Sequence, residues 1–126
     1  GRGEIDDALA VIAAERAAHP GLPVALGGFS FGGYVAAQAA DRRQAVGQPV
    51  ERLVLVAPAT SRFPVPATVA PDTVLIHGES DDVVPLSSTL DWARPQHLPV
   101  IVMPGVGHFF HGQLTQLREL IVRSWR

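Results

Sequence analysis

The stretch Leu26–Tyr34 constrains the fold more than any other part of this chain, because it places Ser30 between two pairs of glycines. The apolar run Pro23–Leu26 precedes the stretch, and the alanine-rich run Tyr34–Ala40 follows it. This order predicts a strand, a very sharp turn and a helix.

Residues 28–32 have the form G-x-S-x-G, in which a serine stands at the tip of a strained strand-to-helix turn. Such a turn brings the residues two before and two after the serine together, which favours Gly28 and Gly32, and we predict a positive φ for Ser30. The helix that follows would direct its first N–H groups at an anion formed beside the hydroxyl. The alternative is a glycine-rich turn with an incidental serine. A phosphate-binding loop is excluded because Gly33 stands where a lysine is required, and the chain has no lysine.

Hydrophobic periodicity and turn residues predict four helices and four strands in alternation. We predict helices at 5–18, 31–45, 86–93 and 113–125, and strands at 23–26, 53–57, 73–77 and 99–103. Apolar strands that alternate with helices indicate an α/β fold with a parallel sheet covered on both faces. We expect a single domain over 1–126, and the last helix should align five apolar side chains on one face: Leu114, Leu117, Leu120, Ile121 and Trp125.

Composition excludes several classes of function. The net charge is −2 and 17% of residues are charged, so no basic face for nucleic acid is expected. The absence of cysteine excludes disulfides, thiol nucleophiles and zinc–cysteine sites. No stretch is long and apolar enough to span a membrane, and no signal peptide is visible, so the expectation is a soluble cytoplasmic protein without a membrane partner.

Three predicted strands are followed by reactive side chains: Ser30, an acidic cluster at 79–82, and His108. The carboxyl ends of parallel strands meet at one edge of the sheet, where ligands bind in such folds. We therefore expect a serine, a carboxylate and a histidine to converge there, in that chain order.

Three motifs in this order, at 28–32, 77–85 and 104–110, resemble those of the α/β-hydrolases. The chain is similar to the C-terminal two-thirds of the small, lidless bacterial members, which are grouped as dienelactone-hydrolase-like and serine-aminopeptidase-like. The resemblance implies a partial α/β-hydrolase fold with about four strands, and a carboxylesterase-like serine hydrolase that cleaves small esters through an acyl-enzyme without cofactor or metal. Thioesterase and peptidase activities stay open, and a non-catalytic binding domain of the same fold is the competing class.

The resemblance implies a role for each matching residue. Ser30 is the expected nucleophile, His108 the general base, and Asp81 the carboxylate, from the family pattern G-x-x-D-x-x-V-P. The backbone N–H of Phe31 is the expected oxyanion donor. We expect a substrate pocket lined by aromatic side chains: Phe29, Phe63 and Phe109.

Each role has rivals. Asp82 and Glu79 compete with Asp81 for the carboxylate, and His111 competes with His108 for the base. We expect His77 to be a packed, hydrogen-bonded core residue, and His19 and His97 to lie on the surface. A metal site formed by His77, Glu79 and Asp81 is disfavoured because no second histidine stands at ligand spacing.

The resemblance also implies that strands are missing, since a complete sheet of this family has more strands than the chain supplies and its elbow strand is paired on both sides. The second oxyanion donor normally follows an earlier strand, which would lie before Gly1. We therefore expect residues 1–126 to be the C-terminal portion of a longer polypeptide. Its active unit would need the upstream segment, in the same polypeptide or as another chain that completes the sheet.

Overall fold

The computed structural model describes residues 2–125, which form the predicted four helices and four strands. In chain order the elements are α1 (Arg2–Ala18), β1 (Ala25–Phe29), α2 (Phe31–Ala45), β2 (Arg52–Val56), β3 (Val74–Gly78), α3 (Leu86–Ala93), β4 (Ile101–Met103) and α4 (Leu114–Ser124). A short 3₁₀ turn, Arg94–Gln96, follows α3. The α/β class is confirmed, and the first strand begins later than predicted because the glycines of the turn themselves belong to β1.

All four strands are parallel and lie in the order β1-β2-β3-β4. Leu26 pairs with Leu53, and Leu55 with Leu75. Chain order and spatial order therefore agree, and every strand ends at the same edge of the sheet. The predicted reactive segments follow β1, β3 and β4 at that edge.

Side chains of the central strands alternate between two hydrophobic clusters. Leu53, Leu55 and Leu75 pack with α2 and α3 on one face. The intervening valines, Val54 and Val56, pack on the other face with the inner residues of α4. Because β2 and β3 are covered on both sides, their sequences are almost wholly apolar, as is typical of parallel sheets.

The two faces are not covered equally at β1. In the described part of the chain, β1 pairs only with β2, so its outer edge is free. Its residues on the α4 side, Ala25, Gly27 and Phe29, are exposed. The single-face prediction for α4 is correct only for its central residues: Leu117, Leu120 and Ile121 pack on the core, whereas Leu114 is 64% and Trp125 44% exposed. Both lie at the ends of the helix beside the uncovered part of the sheet.

Over the described residues, none of the helices has the length and apolar character that crossing a membrane requires.

Candidate active site

Ser30 stands between β1 and α2 with a φ of 55°, which confirms the predicted positive φ. A non-glycine residue adopts this region at a cost of about 1–3 kcal/mol, and only where its surroundings hold it. Two backbone hydrogen bonds join it to the neighbouring segment. The N–H of Ser30 donates to the carbonyl oxygen of Val56 (2.9 Å), and the carbonyl oxygen of Ser30 accepts from the N–H of Ala59 (3.2 Å). The end of β2 and the loop that follows it therefore anchor the turn from both sides of the serine.

Gly28 makes the turn sterically possible. A Cβ at this position would lie 2.0 Å from the carbonyl oxygen of Gly32, which belongs to the backbone and cannot turn away. A Cβ on Gly32 would meet nothing within 4 Å. The G-x-S-x-G pattern favours both glycines alike, but only Gly28 is required by this close approach.

His108 lies between Ser30 and Asp81 and is buried. Its Nε2 is 3.0 Å from the Ser30 Oγ, and its Nδ1 is 2.7 Å from the Asp81 Oδ2. Since a carboxylate only accepts, Nδ1 carries the proton and Nε2 is left to accept from the hydroxyl. The three side chains thus form one continuous line of hydrogen bonds, as the chain order predicted.

Burial and bonding distinguish Asp81 from the two rival carboxylates. Asp81 is buried, and its second oxygen, Oδ1, accepts from the N–H groups of Val83 (2.9 Å) and Val84 (2.7 Å). Asp82 is exposed. Glu79 is also exposed and accepts from the N–H of Gly105 (2.8 Å). The structure therefore brings Asp81, and neither rival, to His108.

The loops after β3 and β4 approach closely enough to join Asp81 to His108. A Cβ on Gly78 would lie 2.3 Å from the carbonyl oxygen of Val106, so only glycine fits there. The N–H of Ser80 donates to the same carbonyl (3.0 Å). The motif at 77–85 by itself assigns no role to Gly78; the signal in the sequence is a glycine at the end of an otherwise apolar strand.

His77 is a second buried histidine beside this line of hydrogen bonds. Its Nε2 is 2.7 Å from the Val84 carbonyl oxygen and 3.4 Å from the Asp81 Oδ2. Burial lowers the pKa of His77, and this outweighs the opposing effects of the Val84 carbonyl and the Asp81 charge. The prediction of a packed core histidine is confirmed, although its Nδ1 has no hydrogen-bond partner.

The other histidines lie away from the serine hydroxyl. His19 and His97 are exposed, as predicted. His111 is exposed too, and its ring contacts Phe109 with centroids 5.9 Å apart. Among residues 2–125 no cluster of three or more histidine and acidic side chains is arranged to hold a metal ion.

Aromatic side chains flank the site in two separate groups. The Phe29 ring lies 4.9 Å from the His108 ring and 6.1 Å from that of Phe109. Phe63 instead contacts Phe31 and Tyr34, with centroids 4.9 and 5.0 Å away. The structure thus brings Phe29 and Phe109 together beside the histidine, and places Phe63 in the other group. Phe31 begins α2, so its backbone N–H has no partner within the helix.

An apolar groove of about 570 Å³ lies between β1 and α4. Its walls are Ala25–Phe29, Val54, Val56, Phe109, Phe110, Leu114, Leu117, Ile121 and Trp125. The groove reaches Phe29 and Phe109 near Ser30 and His108 and follows the free edge of the sheet. We refer to these residues below as the β1–α4 groove.

Comparisons with known proteins agree with this architecture. A family model described as serine aminopeptidase, S33, matches residues 4–70, which is more than half of the chain. A comparison with curated proteins found no match.

Solved structures resemble nearly the whole chain. A lidless α/β serine hydrolase from Xanthomonas campestris is 32% identical with a TM-score of 0.85, and the match covers 97% of this chain and 55% of that one. An α/β serine hydrolase homologue from Coxiella burnetii is 34% identical with a TM-score of 0.82, covering 98% and 59%. A putative α/β hydrolase from Agrobacterium tumefaciens, 23% identical with a TM-score of 0.80 and covering 94% and 57%, shares the fold. The chain therefore spans somewhat more than half the length of these relatives.

The two glycines around Ser30 should respond differently to a methyl group. Gly28→Ala should destabilise the protein by about 1–3 kcal/mol or more, because backbone atoms must move apart. Gly32→Ala should be neutral or slightly stabilising, since the added Cβ meets open space in a helix. Chemical denaturation of the two variants checks this; equal losses of stability would contradict the assigned role of Gly28.

Proposed function

Because this chain belongs to the serine aminopeptidase S33 family of α/β-hydrolases, we propose that it cleaves small carboxylic esters with Ser30 as nucleophile. The observation that carries the proposal is the line of hydrogen bonds from Ser30 through His108 to Asp81. A serine hydroxyl is a weak nucleophile until a base removes its proton, and the base must be held in one tautomer. His108 is the candidate base, and Asp81 is the candidate carboxylate that holds it in one tautomer.

Acylation would begin as Ser30 Oγ attacks the carbonyl carbon and passes its proton to the His108 Nε2. Asp81 stabilises the imidazolium through the bond to Nδ1. The carbonyl oxygen becomes an oxyanion. The backbone N–H of Phe31 is the proposed hydrogen-bond donor to it, and the positive end of the α2 dipole stabilises its charge. When the tetrahedral intermediate collapses, the proton on Nε2 moves to the departing alcohol, and the acyl group remains on Ser30.

Deacylation would repeat the sequence with water. His108 removes a proton from the water as it attacks the acyl carbon, and then returns the proton to Ser30 Oγ as the acid leaves. The reaction needs no cofactor or metal. Phe29 and Phe109 lie against the histidine and are the proposed apolar contacts for the substrate.

A peptidase is the second candidate, favoured by the description of the matching family as serine aminopeptidase. The same residues serve for amide cleavage, with His108 protonating the departing amine. Matched p-nitrophenyl ester, thioester and aminoacyl-anilide substrates separate the candidates by their kcat/KM values. A non-catalytic binding domain would cleave none of them and would not react with a fluorophosphonate.

We propose further that the active unit includes a segment upstream of Gly1 that pairs with β1 and covers the β1–α4 groove. Three observations support this segment as the occupant. β1 is free on its outer edge among the described residues, the groove exposes Phe109, Leu114 and Trp125, and the solved relatives are longer than this chain. An unpaired parallel strand with an apolar face promotes aggregation, so pairing would remove that hazard.

Ser30→Ala should abolish ester hydrolysis, by up to about a millionfold if the three residues act as a unit. The measurement is kcat/KM on p-nitrophenyl esters, together with covalent labelling of the wild type by a fluorophosphonate. Unchanged turnover in the Ser30→Ala variant, or labelling at another residue, would exclude Ser30 as the nucleophile.

Asp81→Asn should lower kcat by about ten-thousandfold, because an amide can donate to Nδ1 and so favour the wrong tautomer of His108. Asp82→Asn is the matched control: the neighbouring carboxylate is exposed and its loss should change kcat by less than about threefold, in line with a surface substitution. Steady-state kinetics of the two variants test the assignment. If Asp82→Asn were the more damaging change, Asp81 would not be the catalytic carboxylate.

Residues 1–126 expressed alone should self-associate and be nearly inactive, with a missing oxyanion donor alone costing about 10²–10³ in rate. Light scattering and esterase assays compare this chain with a version that carries the upstream residues. Leu114→Glu should reduce the self-association because it puts a charge in the groove, whereas Val11→Glu, at a similarly exposed position on α1, should not. A monodisperse, cooperatively folded monomer with full turnover would contradict the proposal.

A further inference from the structure

We propose that His77 is a positioning residue that holds Asp81 for its bond to His108, acting through the peptide of Val84. This inference rests on the proposed function, since it concerns the same catalytic carboxylate. His77 does not touch Ser30 or His108 by a hydrogen bond, so its effect is exerted through the loop that follows β3.

Val84 is bound at both ends of its backbone. Its N–H donates to the Asp81 Oδ1 (2.7 Å), and its carbonyl lies 2.7 Å from the His77 Nε2. His77 is the penultimate residue of β3 and is completely buried, so it presents a fixed donor to the loop. The hydrogen bonds therefore continue from β3 through Val84 and Asp81 to His108.

The chemistry of these partners defines the tautomer of His77. A carbonyl oxygen only accepts, so Nε2 carries the proton and donates to Val84. The Nδ1 is then the unprotonated nitrogen, which agrees with its lack of an acceptor. His77 is thus a neutral donor, and burial favours this form by lowering its pKa.

Neutrality matters because the His77 Nε2 lies 3.4 Å from the Asp81 Oδ2, the oxygen that also binds His108. A charged imidazolium at that distance would compete with His108 for the same carboxylate. A neutral donor bound to Val84 fixes the loop and leaves the charge of Asp81 to His108. A side chain without a donor would leave the buried Val84 carbonyl unsatisfied and allow the loop to shift.

Two substitutions of His77 distinguish the effect of its hydrogen-bond donor from the effect of filling the core. In His77→Gln the amide nitrogen reaches the position of Nε2, whereas in His77→Asn it falls short by one methylene. In the proposed active unit with the upstream segment, His77→Asn should lower kcat roughly tenfold to a hundredfold with little change in KM. His77→Gln should retain kcat within about threefold of the wild type. Equal losses in both variants, or none in His77→Asn, would overturn the proposal.

NMR measures the same coupling without any turnover. The proton between the His108 Nδ1 and Asp81 should give a far-downfield resonance in the wild type and in His77→Gln, and should weaken or disappear in His77→Asn. Nitrogen-labelled histidine in the wild type should show His77 neutral at pH 7 with the proton on Nε2. The opposite tautomer, or a charged His77, would overturn the inference even if His77→Asn failed to fold.

These outcomes are distinguishable from failure of the proposed function. If the downfield resonance is present in the wild type and in His77→Gln and is lost in His77→Asn, but the wild type neither hydrolyses esters nor reacts with a fluorophosphonate, the catalytic proposal fails while the role of His77 in holding Asp81 stands. If hydrolysis depends on Ser30 and His108 but both His77 variants behave as the wild type, only the inference on His77 fails.

Discussion

The strained, positive-φ backbone of Ser30 is the constraint on which the rest of the site depends. It turns the chain from β1 into α2 and directs the hydroxyl to the edge where the other loops meet. Its cost, about 1–3 kcal/mol, has to be offset by the surroundings. The bonds to Val56 at the end of β2 and to Ala59 in the loop after it do this, and Gly28 allows the backbone on either side to come together. The strained turn thus depends on the neighbouring strand as much as on its own glycines.

Asp81 and His108 are held in place by hydrogen bonds and not by a strained backbone. Asp81 accepts from two backbone N–H groups with one oxygen and from His108 with the other, so its orientation is determined on both sides. Gly78 allows the loops after β3 and β4 to approach closely enough for this arrangement. A buried carboxylate is costly unless it is hydrogen-bonded, and this one has a partner on each oxygen.

The sheet is well covered at its centre and poorly covered at β1. Leu55 and Ile76 are fully buried because helices lie on both faces of β2 and β3. At β1 the backbone edge is free, and the β1–α4 groove exposes Leu114 and Trp125. The edge that carries Ser30 and His108 adjoins this groove through Phe29 and Phe109, so whatever covers the groove would also border the candidate site.

The order of elements, the turn at Ser30 and the position of His108 after β4 could be read from the sequence because each depends on local pattern: periodicity, glycine spacing and strand exits. Other features depend on contacts between segments that are far apart in the chain, and a local sequence pattern does not specify those contacts. The burial of Asp81 against the exposure of Asp82, the unequal roles of Gly28 and Gly32, and the separation of Phe63 from Phe29 are of this kind. The sequence determined which chemical groups reach the edge of the sheet; the tertiary structure decided which of them touch, because contact between loops depends on how closely their backbones approach.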